Sequence, residues 1–451
     1  MAGRGSLLAV LLIVAACATA GEGAAAAPAG QTPADAGSAL PLRSVAAAAP
    51  LAPAGNERRL SLAEAEKLWR ARNRELRLAR MAVSGAEADV LTAGQAHNPQ
   101  LSLNLASISP NEGLGSGGVR DKRMDSIVRL EQLIERGGKR ELRVQGAEAA
   151  LAAVRNDLQD TQRQQRQMLS AVYYELLLAQ SRQMIAAETA ALYGSSLDAA
   201  NVRYRAGDLA GADLARLRIE KSRADNDFRQ AAADCAKARV NLAYLLGLER
   251  EAAALVADDE WPPADFVASG DADLSLRPDI AATAARVLAA EKARDLARSL
   301  KKRDVTVGVQ IEHNLQNAPL NSFGVGVSVP LFVNYEYEGE IARAEADLDI
   351  AREQYERLRA QAQGEVDQAR ADLIASAERR KNLENGLLAD AERVARAAEF
   401  AYARGAMGLM DLLDARRTRR QVQLEASGAR ADHAKAIAAW RAALWSSPVT
   451  E

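Results

Sequence analysis

Aromatic residues are scarce in this chain of 451 residues. Phe, Trp and Tyr together make up 4% of it, although hydrophobic residues make up 48%, because alanine supplies much of the apolar count. Compact cores depend on bulky side chains, whereas alanine-rich chains with many Glu, Arg and Leu residues favour long, closely packed helices. Length alone would suggest about three ordinary domains, but this composition argues against that division.

The net charge is close to zero, and cysteine and histidine are also scarce. The 58 Lys and Arg residues nearly balance the 60 Asp and Glu residues, which argues against a basic nucleic-acid-binding protein. Two cysteines and three histidines are too few for a disulfide scaffold or a Cys/His zinc site. His97, His313 and His433 are isolated in sequence, so we expect surface or packing roles and no metal site. No nucleophile-base pair, carboxylate constellation or phosphate loop is recognisable, and the sequence predicts neither an enzyme nor a cofactor.

The N-terminus predicts export. An apolar run at 7–16 has the length of a signal peptide and is too short for a membrane-spanning helix. The Val-Ala-Ala-Cys sequence that ends at Cys17 is typical of a bacterial lipobox, so 1–17 is predicted as the signal peptide and Cys17 as the lipid-attachment site. Cleavage after Ala20 by the small-x-small rule is the alternative. Residues 18–56, rich in Ala, Pro and Gly, are predicted to form a flexible tether.

Proline is absent from two long intervals, 111–261 and 331–447. Because proline breaks helix interiors, very long helices can run there. A helix from about Lys139 to Tyr204 would be about 100 Å long, a length typical of tubes and stalks. Apolar residues three and four apart in the second interval predict a heptad-like helix seam. The seam consists of Leu348, Ala351, Tyr355, Leu358, Ala362, Val366, Ala369 and Leu373.

Alternation with a period of two predicts strands. Apolar and small or polar residues alternate strictly at Val305–Glu312 and Phe323–Leu331, each about the length of a transmembrane strand, and a weaker pair lies earlier. Soluble hairpins are the alternative. Four strands cannot close a barrel, and an open edge is not viable in lipid, so we expect the chain to share strands with copies of itself. The strands are predicted at 99–108, 124–133, 304–312 and 322–331.

The chain repeats its motifs at an offset of roughly two hundred residues, the pattern of an internal duplication. Tyr204 and Gly207, followed by Asp213, match Tyr402 and Gly405, followed by Asp411. Each half is predicted to run helix, strand, loop, strand, very long helix, glycine turn, long helix. The predicted domains are a first repeat at 57–258, a linker at 259–276 and a second repeat at 277–446, with tip turns at 204–212 and 402–410.

These features resemble the TolC family of bacterial outer-membrane efflux channels over about 62–444. The likeness is carried by Arg277-Pro278-Asp279-Ile280, by Val329-Pro330-Leu331-Phe332 and by the two Tyr-x-x-Gly turns. The resemblance implies a mainly α fold with a small β part. In it, three chains pool four strands each into a twelve-stranded outer-membrane barrel on a periplasmic α-helical barrel. It also implies a homotrimeric duct of a Gram-negative outer membrane that works with a periplasmic adaptor and a proton-driven inner-membrane pump of the RND type.

Within the family, the chain is most similar to the cobalt-zinc-cadmium resistance branch. Glu135-Arg136-Gly137-Gly138-Lys139-Arg140, followed by Arg143, is similar to that branch's Glu-x-Gly-Gly-Lys-Arg signature. Asn334–Glu338 departs from it, since the branch usually has a short Arg-Asn-x-Gly turn there. The resemblance implies export of cations such as cobalt, zinc, cadmium or copper. The alternatives are a multidrug or type I secretion duct and, from another class, a lipid-anchored periplasmic coiled coil without a pore.

Acidic residues at the second tip turn are the main candidate site. Asp411 and Asp414 lie three apart, hence on one helical face. The resemblance places them at the periplasmic mouth, where three copies would gather six carboxylates that concentrate cations. Helix-end stabilisation is the alternative, and it fits Asp213 better. We expect Tyr204 and Tyr402 to close the same tip by hydrogen bonds, with Asp213 as a candidate partner of Tyr402.

Overall fold

The computed structural model describes residues 57–108, 111, 113–118, 122, 124–266, 273–314 and 320–445. The predicted signal peptide, the lipid-attachment site at Cys17 and the tether at 18–56 lie outside these residues. Most of the described chain is helical, with a small β part, as the sequence predicts.

The first half begins with a short strand and two helices, followed by a hairpin and two long helices. Its elements are β1 (Arg58–Leu60), α1 (Leu62–Arg72), α2 (Arg74–Gly94), β2 (Gln100–Ala106), β3 (Asp125–Ile134), α3 (Lys139–Arg205) and α4 (Gly211–Leu246). Two short 3-10 turns and one strand then lead to the second half. They are Glu249–Ala254, β4 (Leu255–Ala257) and Leu274–Leu276.

The second half has the same order of helix, hairpin and long helices. Its elements are α5 (Pro278–Ser299), β5 (Val305–Asn314), β6 (Leu320–Ser328), α6 (Glu338–Asn382), a π-helical turn (Leu383–Leu387), α7 (Leu388–Ala403) and α8 (Leu409–Leu444). The π turn joins α6 directly to α7, so the helical rod of this half runs without a break from Glu338 to Ala403.

The long helices occupy the intervals that lack proline. Helix α3 has 67 residues, which corresponds to about 100 Å at 1.5 Å per residue. In α6, the predicted seam is the side that packs, because five of its eight residues are buried and the other three are partly buried. The buried ones are Leu348, Ala362, Val366, Ala369 and Leu373.

Four strands form one antiparallel sheet in the order β2-β3-β5-β6, which places the two hairpins side by side. The last strand ends at Ser328, so the prediction that it continues to residue 331 is wrong. Pro330 accounts for the early end, since proline has no N–H to donate to a strand ladder. A separate parallel pair, β1 and β4, joins the start of the first half to its end.

The register gives this sheet one mainly apolar face and one mainly polar face, on which Ile127 and Leu133 are the apolar exceptions. Val307 lies opposite Val327, and Ile311 lies opposite Phe323. One step along the same strands, Thr306 lies opposite Ser328 on the other face. The apolar face is exposed in the single chain: Leu101, Leu103, Leu105, Val128, Leu130, Val309, Ile311, Phe323, Val325 and Val327 are all more than two fifths accessible.

No helix within the described ranges combines the length and the apolar character needed to cross a bilayer. The helices instead bury apolar side chains against one another. The largest cluster lies where α1, α3 and α4 meet the β1–β4 pair, around Trp69, Tyr173 and Leu242. A second cluster, around Tyr193, holds α3, α4 and α8 together near the ends of the long helices.

His433 is a packing histidine inside the helical part. It lies in α8 with an exposure of 0%, and its Nδ1 is 3.4 Å from the Ser376 hydroxyl of α6. Burial lowers the pKa of His433 below its ordinary value, and the nearby Arg380 acts in the same direction. The neutral imidazole is therefore the form that fits this site.

We expect His433 to make stability depend on pH. Because its folded pKa is depressed, its contribution is complete above about pH 6.5 and is lost as the pH falls through that value toward the folded pKa. Thermal unfolding in detergent between about pH 7.5 and 5.5 should show a falling melting temperature for the wild type and a smaller fall for His433→Leu. His97→Gln, at an exposed position, is the control and should follow the wild type. Identical pH dependence in His433→Leu would contradict the assignment.

Candidate functional site

Two turns at the ends of the long helices carry the predicted tip residues. Gly207 follows α3 and Gly405 follows α7, with φ angles of 84° and 74°. Their N–H groups donate to the carbonyls of Tyr204 (3.1 Å) and Tyr402 (3.0 Å). A β-carbon at either glycine would meet nothing within 4 Å. The left-handed backbone, and not lack of space, is therefore what favours glycine at both turns.

Asp411 and Asp414 lie on the same exposed side of α8, while Leu412 and Leu413 between them are buried. Asp411 is in the first turn of the helix. Asp414 accepts a hydrogen bond from Arg417 at 3.1 Å, and the same guanidinium binds Glu220 of α4 at 2.8 Å. The two carboxylates thus share a face at the beginning of α8, next to the turn at Gly405.

Asp213 and Tyr402 have different partners within one chain. Asp213, in the first turn of α4, pairs with Arg216 at 3.0 Å. The Tyr402 hydroxyl accepts a hydrogen bond from Arg203 at 3.4 Å, and this guanidinium lies 5.8 Å from the centre of the Tyr402 ring. The structure therefore does not bring Asp213 and Tyr402 together inside a chain. The sequence analysis did not select Arg203 as a partner of Tyr402. Its position in the last turn of α3, close to the tip turn, could have suggested it.

Tyr204 is 49% exposed. Its ring lies beside Gly211 at the start of α4, where an added β-carbon would be 3.6 Å from it. Tyr402 is partly buried between two apolar clusters of the long helices. The two tyrosines, each three residues before a turn glycine, therefore have different environments. One is available at the surface of the tip, and the other helps to hold α7 against α8.

The Glu135–Arg140 motif forms a joint between β3 and α3. Glu135 accepts two hydrogen bonds from the Arg143 guanidinium, one turn into the helix. This interaction lowers the pKa of Glu135 below its ordinary value. The N-cap of α3 is Gly138, in the left-handed conformation with a φ of 71°. Arg140, the last residue of the motif, is exposed.

The same joint contacts the second repeat. Lys139 is 6% exposed, and its Nζ donates to Asp304 and to the Lys302 carbonyl, both at 2.8 Å. The backbone N–H of Arg136 donates to the other oxygen of Asp304 at 2.9 Å. A β-carbon at Gly137 would lie 2.7 Å from the Lys302 side chain. The motif therefore fastens the start of α3 to the start of β5.

The Arg277-Pro278-Asp279 motif is also internal. Arg277 is 2% exposed and donates to Asp279 (2.7 Å) and to Glu365 of α6 (2.6 Å). Arg163 of α3 lies 3.5 Å from the same Asp279 carboxylate. Burial raises the pKa of Asp279, but its interactions with Arg277 outweigh this, and the pKa lies below its ordinary value. Pro278 occupies the first turn of α5, where it costs no hydrogen bond.

These motifs are thus internal links, the first between α3 and the start of β5 and the second between α5 and α6. The tip acids and the two faces of the sheet are exposed. Within the part of the chain that the structure describes, no group of three or more His, Cys, Asp or Glu side chains could hold a metal ion.

Comparison with known proteins gives a consistent result over most of the chain. The family model for outer membrane efflux proteins matches residues 65–248 and 271–444. The cobalt-zinc-cadmium resistance protein CzcC of Cupriavidus metallidurans is 25% identical over 378 residues, which cover 82% of this chain and 86% of that protein.

Solved structures share the fold. The outer membrane protein VceC of Vibrio cholerae aligns with a TM-score of 0.68 at 18% identity, over 85% of this chain and 95% of that chain. CusC, whose structures are described in terms of transmembrane channel formation, aligns with a TM-score of 0.68 at 17% identity, over 85% of this chain and 91% of that chain. The long paired helices, the four-stranded sheet and the family match over both halves of the chain lead to one conclusion. The chain is an outer-membrane protein and belongs to the outer membrane efflux protein family.

Proposed function

We propose that three copies of this chain form an export duct. Their strands close a barrel in the outer membrane, and their long helices continue it as a tunnel into the periplasm. The two-faced sheet is the observation that carries the proposal. Its exposed apolar side chains on one face suit contact with lipid, and its polar side chains on the other face suit an aqueous lumen.

The sheet order supports closure from several copies. Strands β2 and β6 lie at the edges, and each has a ladder partner on one side. In lipid, unpaired backbone groups along an edge cost several kcal/mol each, so a spanning sheet has to close. Three copies of four strands give twelve strands, an even number typical of outer-membrane barrels. A coiled-coil protein without a pore would have no use for the exposed apolar face.

Asp substitutions on the two faces test this proposal. Val307→Asp or Val327→Asp would place a carboxylate in lipid, at a cost of roughly a few kcal/mol each, and should greatly reduce trimers in outer-membrane fractions. Thr306→Asp and Ser328→Asp are matched controls, because this facing pair lies one step away in the same strands. The controls should assemble nearly as well as the wild type. Equal tolerance of both pairs would contradict membrane insertion.

We further propose that the duct works with a periplasmic adaptor and a proton-driven inner-membrane pump, and that its cargo is heavy-metal cations. The similarity to a cobalt-zinc-cadmium resistance protein over most of both chains supports this cargo. An organic drug or a secreted peptide is the second candidate, since channels of this fold differ little in shape. Lipid attachment at Cys17 stays a prediction, and we assign no reaction to the chain.

The carboxylates at the start of α8 are proposed to line the periplasmic entrance. Asp411 and Asp414 are exposed on one side of the helix, so three copies would place six carboxylates around the axis. A ring of like charges at a narrow mouth raises the local concentration of cations and repels anions. Two neighbouring pairs are proposed to hold the tip turns in place. They are Asp213 with Arg216 and Arg203 with Tyr402.

Complementation of a deletion strain tests cargo and entrance together. The wild-type gene should restore growth in cobalt, zinc or cadmium salts, and the Asp411→Asn/Asp414→Asn variant should restore it less, because the entrance no longer concentrates cations. Asp390→Asn is the control, since this exposed carboxylate lies in α7 away from the turn. Restored tolerance of organic drugs but not of metals would contradict the metal cargo. Full metal tolerance with the double variant would contradict the entrance role and favour helix-end stabilisation as the role of the two aspartates.

A further inference from the structure

We propose that Arg129, Glu131 and Gln310 form a charge-balanced layer that sets the ion selectivity of the strand section of the duct. The three side chains lie on the polar face of the sheet, near its middle. The inference rests on the proposed function, because it needs the polar face to line the lumen.

The Arg129 side chain is held by two neighbours, Gln310 on the facing strand β5 and Glu131 two residues along its own strand β3. Its Nε and Nη2 both donate to the Gln310 Oε1, at 3.1 Å and 2.8 Å, and the register places these two residues directly opposite each other. Its Nη1 lies 3.5 Å from the Glu131 Oε1. With these partners, the guanidinium lies along the sheet instead of extending away from it. The charges of Arg129 and Glu131 also largely cancel each other locally.

Glycines on the same face allow this flat arrangement. A β-carbon at Gly308 would lie 3.1 Å from the Glu131 Cγ, and one at Gly324 would lie 3.0 Å from the Gln310 Cγ. Both contacts are tighter than an ordinary packing distance. Because glycine weakens a strand, its presence in a strand interior often marks a close approach of another group. Here that group is a polar side chain lying against the backbone.

The charges on this face determine what the layer does. Among the strand residues that the structure describes, Arg129 supplies the positive charge of the polar face. The carboxylates on that face are Asp125, Glu131 and Glu312. Asp125 is buried and accepts the Ser107 hydroxyl at the loop end. Arg129 and Glu131 keep 47% and 36% of their side-chain surfaces accessible, so water and ions can reach both.

In a duct of three copies, three such pairs would surround the lumen at one level. A narrow aqueous channel with low-dielectric walls strengthens the effect of charges on passing ions. A balanced layer neither holds cations nor repels them. Removing one partner exposes the charge of the other, and the two removals have opposite signs.

Single-channel recordings in planar bilayers under a potassium chloride gradient test this directly. For Arg129→Gln, the unpaired Glu131, on a face that also carries Glu312, should raise the cation-to-anion permeability ratio by about twofold or more. For Glu131→Gln, the unpaired Arg129 should lower the same ratio by about twofold or more. The double variant Arg129→Gln/Glu131→Gln should return close to the wild type. Arg129→Lys, which keeps the charge, should also stay close to it.

Channels whose permeability ratio is the same in the wild type and both single variants would overturn this inference. If one single variant does not assemble, the other decides alone, because its expected sign is fixed. Purified wild-type protein that forms trimers without conducting would instead overturn the proposed duct.

Two glycine variants test the flat arrangement. Gly324→Ala should push Gln310 and its bound guanidinium toward the lumen and lower the single-channel conductance. Gly326→Ala is the matched control, since a β-carbon there would meet nothing within 4 Å, and its conductance should match the wild type. Equal conductance in the two variants would contradict a layer that lies flat because of glycine.

Discussion

The unpaired outer edges of a four-stranded sheet with one exposed apolar face are the constraint on which the rest of the structure depends. Such a sheet cannot remain in water because of its face, and it cannot enter lipid alone because of its edges. Both difficulties end when copies of the chain share strands. The long helices are attached directly to this sheet. Helix α3 begins at Lys139, shortly after β3 ends at Ile134, and its 67 residues extend for about 100 Å.

Charged residues in the joints hold this arrangement within each protomer. Lys139 and Asp304 link the start of α3 to β5, and Arg277 links α5 to α6 through Glu365. Breaking one partner of a buried pair leaves an uncompensated charge, which is far costlier than losing a surface ion pair. The family motifs therefore act on geometry, because they fix how the chain passes from the sheet to the long helices.

The periodic features of the fold could be predicted from the sequence, whereas contacts between residues far apart in the chain could not. The gaps between prolines predicted the long helices, and the period of two predicted four strands, although Pro330 should also have ended the last one. The strands β1 and β4 have three residues each and are too short for any period to appear. The contact of Lys139 with Asp304 joins residues 165 apart. Such pairs depend on how the two halves of the chain pack against each other, and a pattern along the sequence does not indicate that packing.

The joint between the sheet and the long helix of the second half follows the same chain path as that of the first half, but with different residues. Helices α3 and α6 begin after a left-handed residue, which is Gly138 in the first repeat and Tyr337, with a φ of 60°, in the second. This conformation costs a non-glycine residue about 1–2 kcal/mol. The Tyr337 ring packs against Phe332 and Tyr335, with centroids 5.3 Å and 4.9 Å away, and such aromatic pairs contribute about 0.5–1.5 kcal/mol each. The aromatic residues thus offset the strain, which explains how Asn334–Glu338 replaces the usual turn while the helix still begins at the equivalent place.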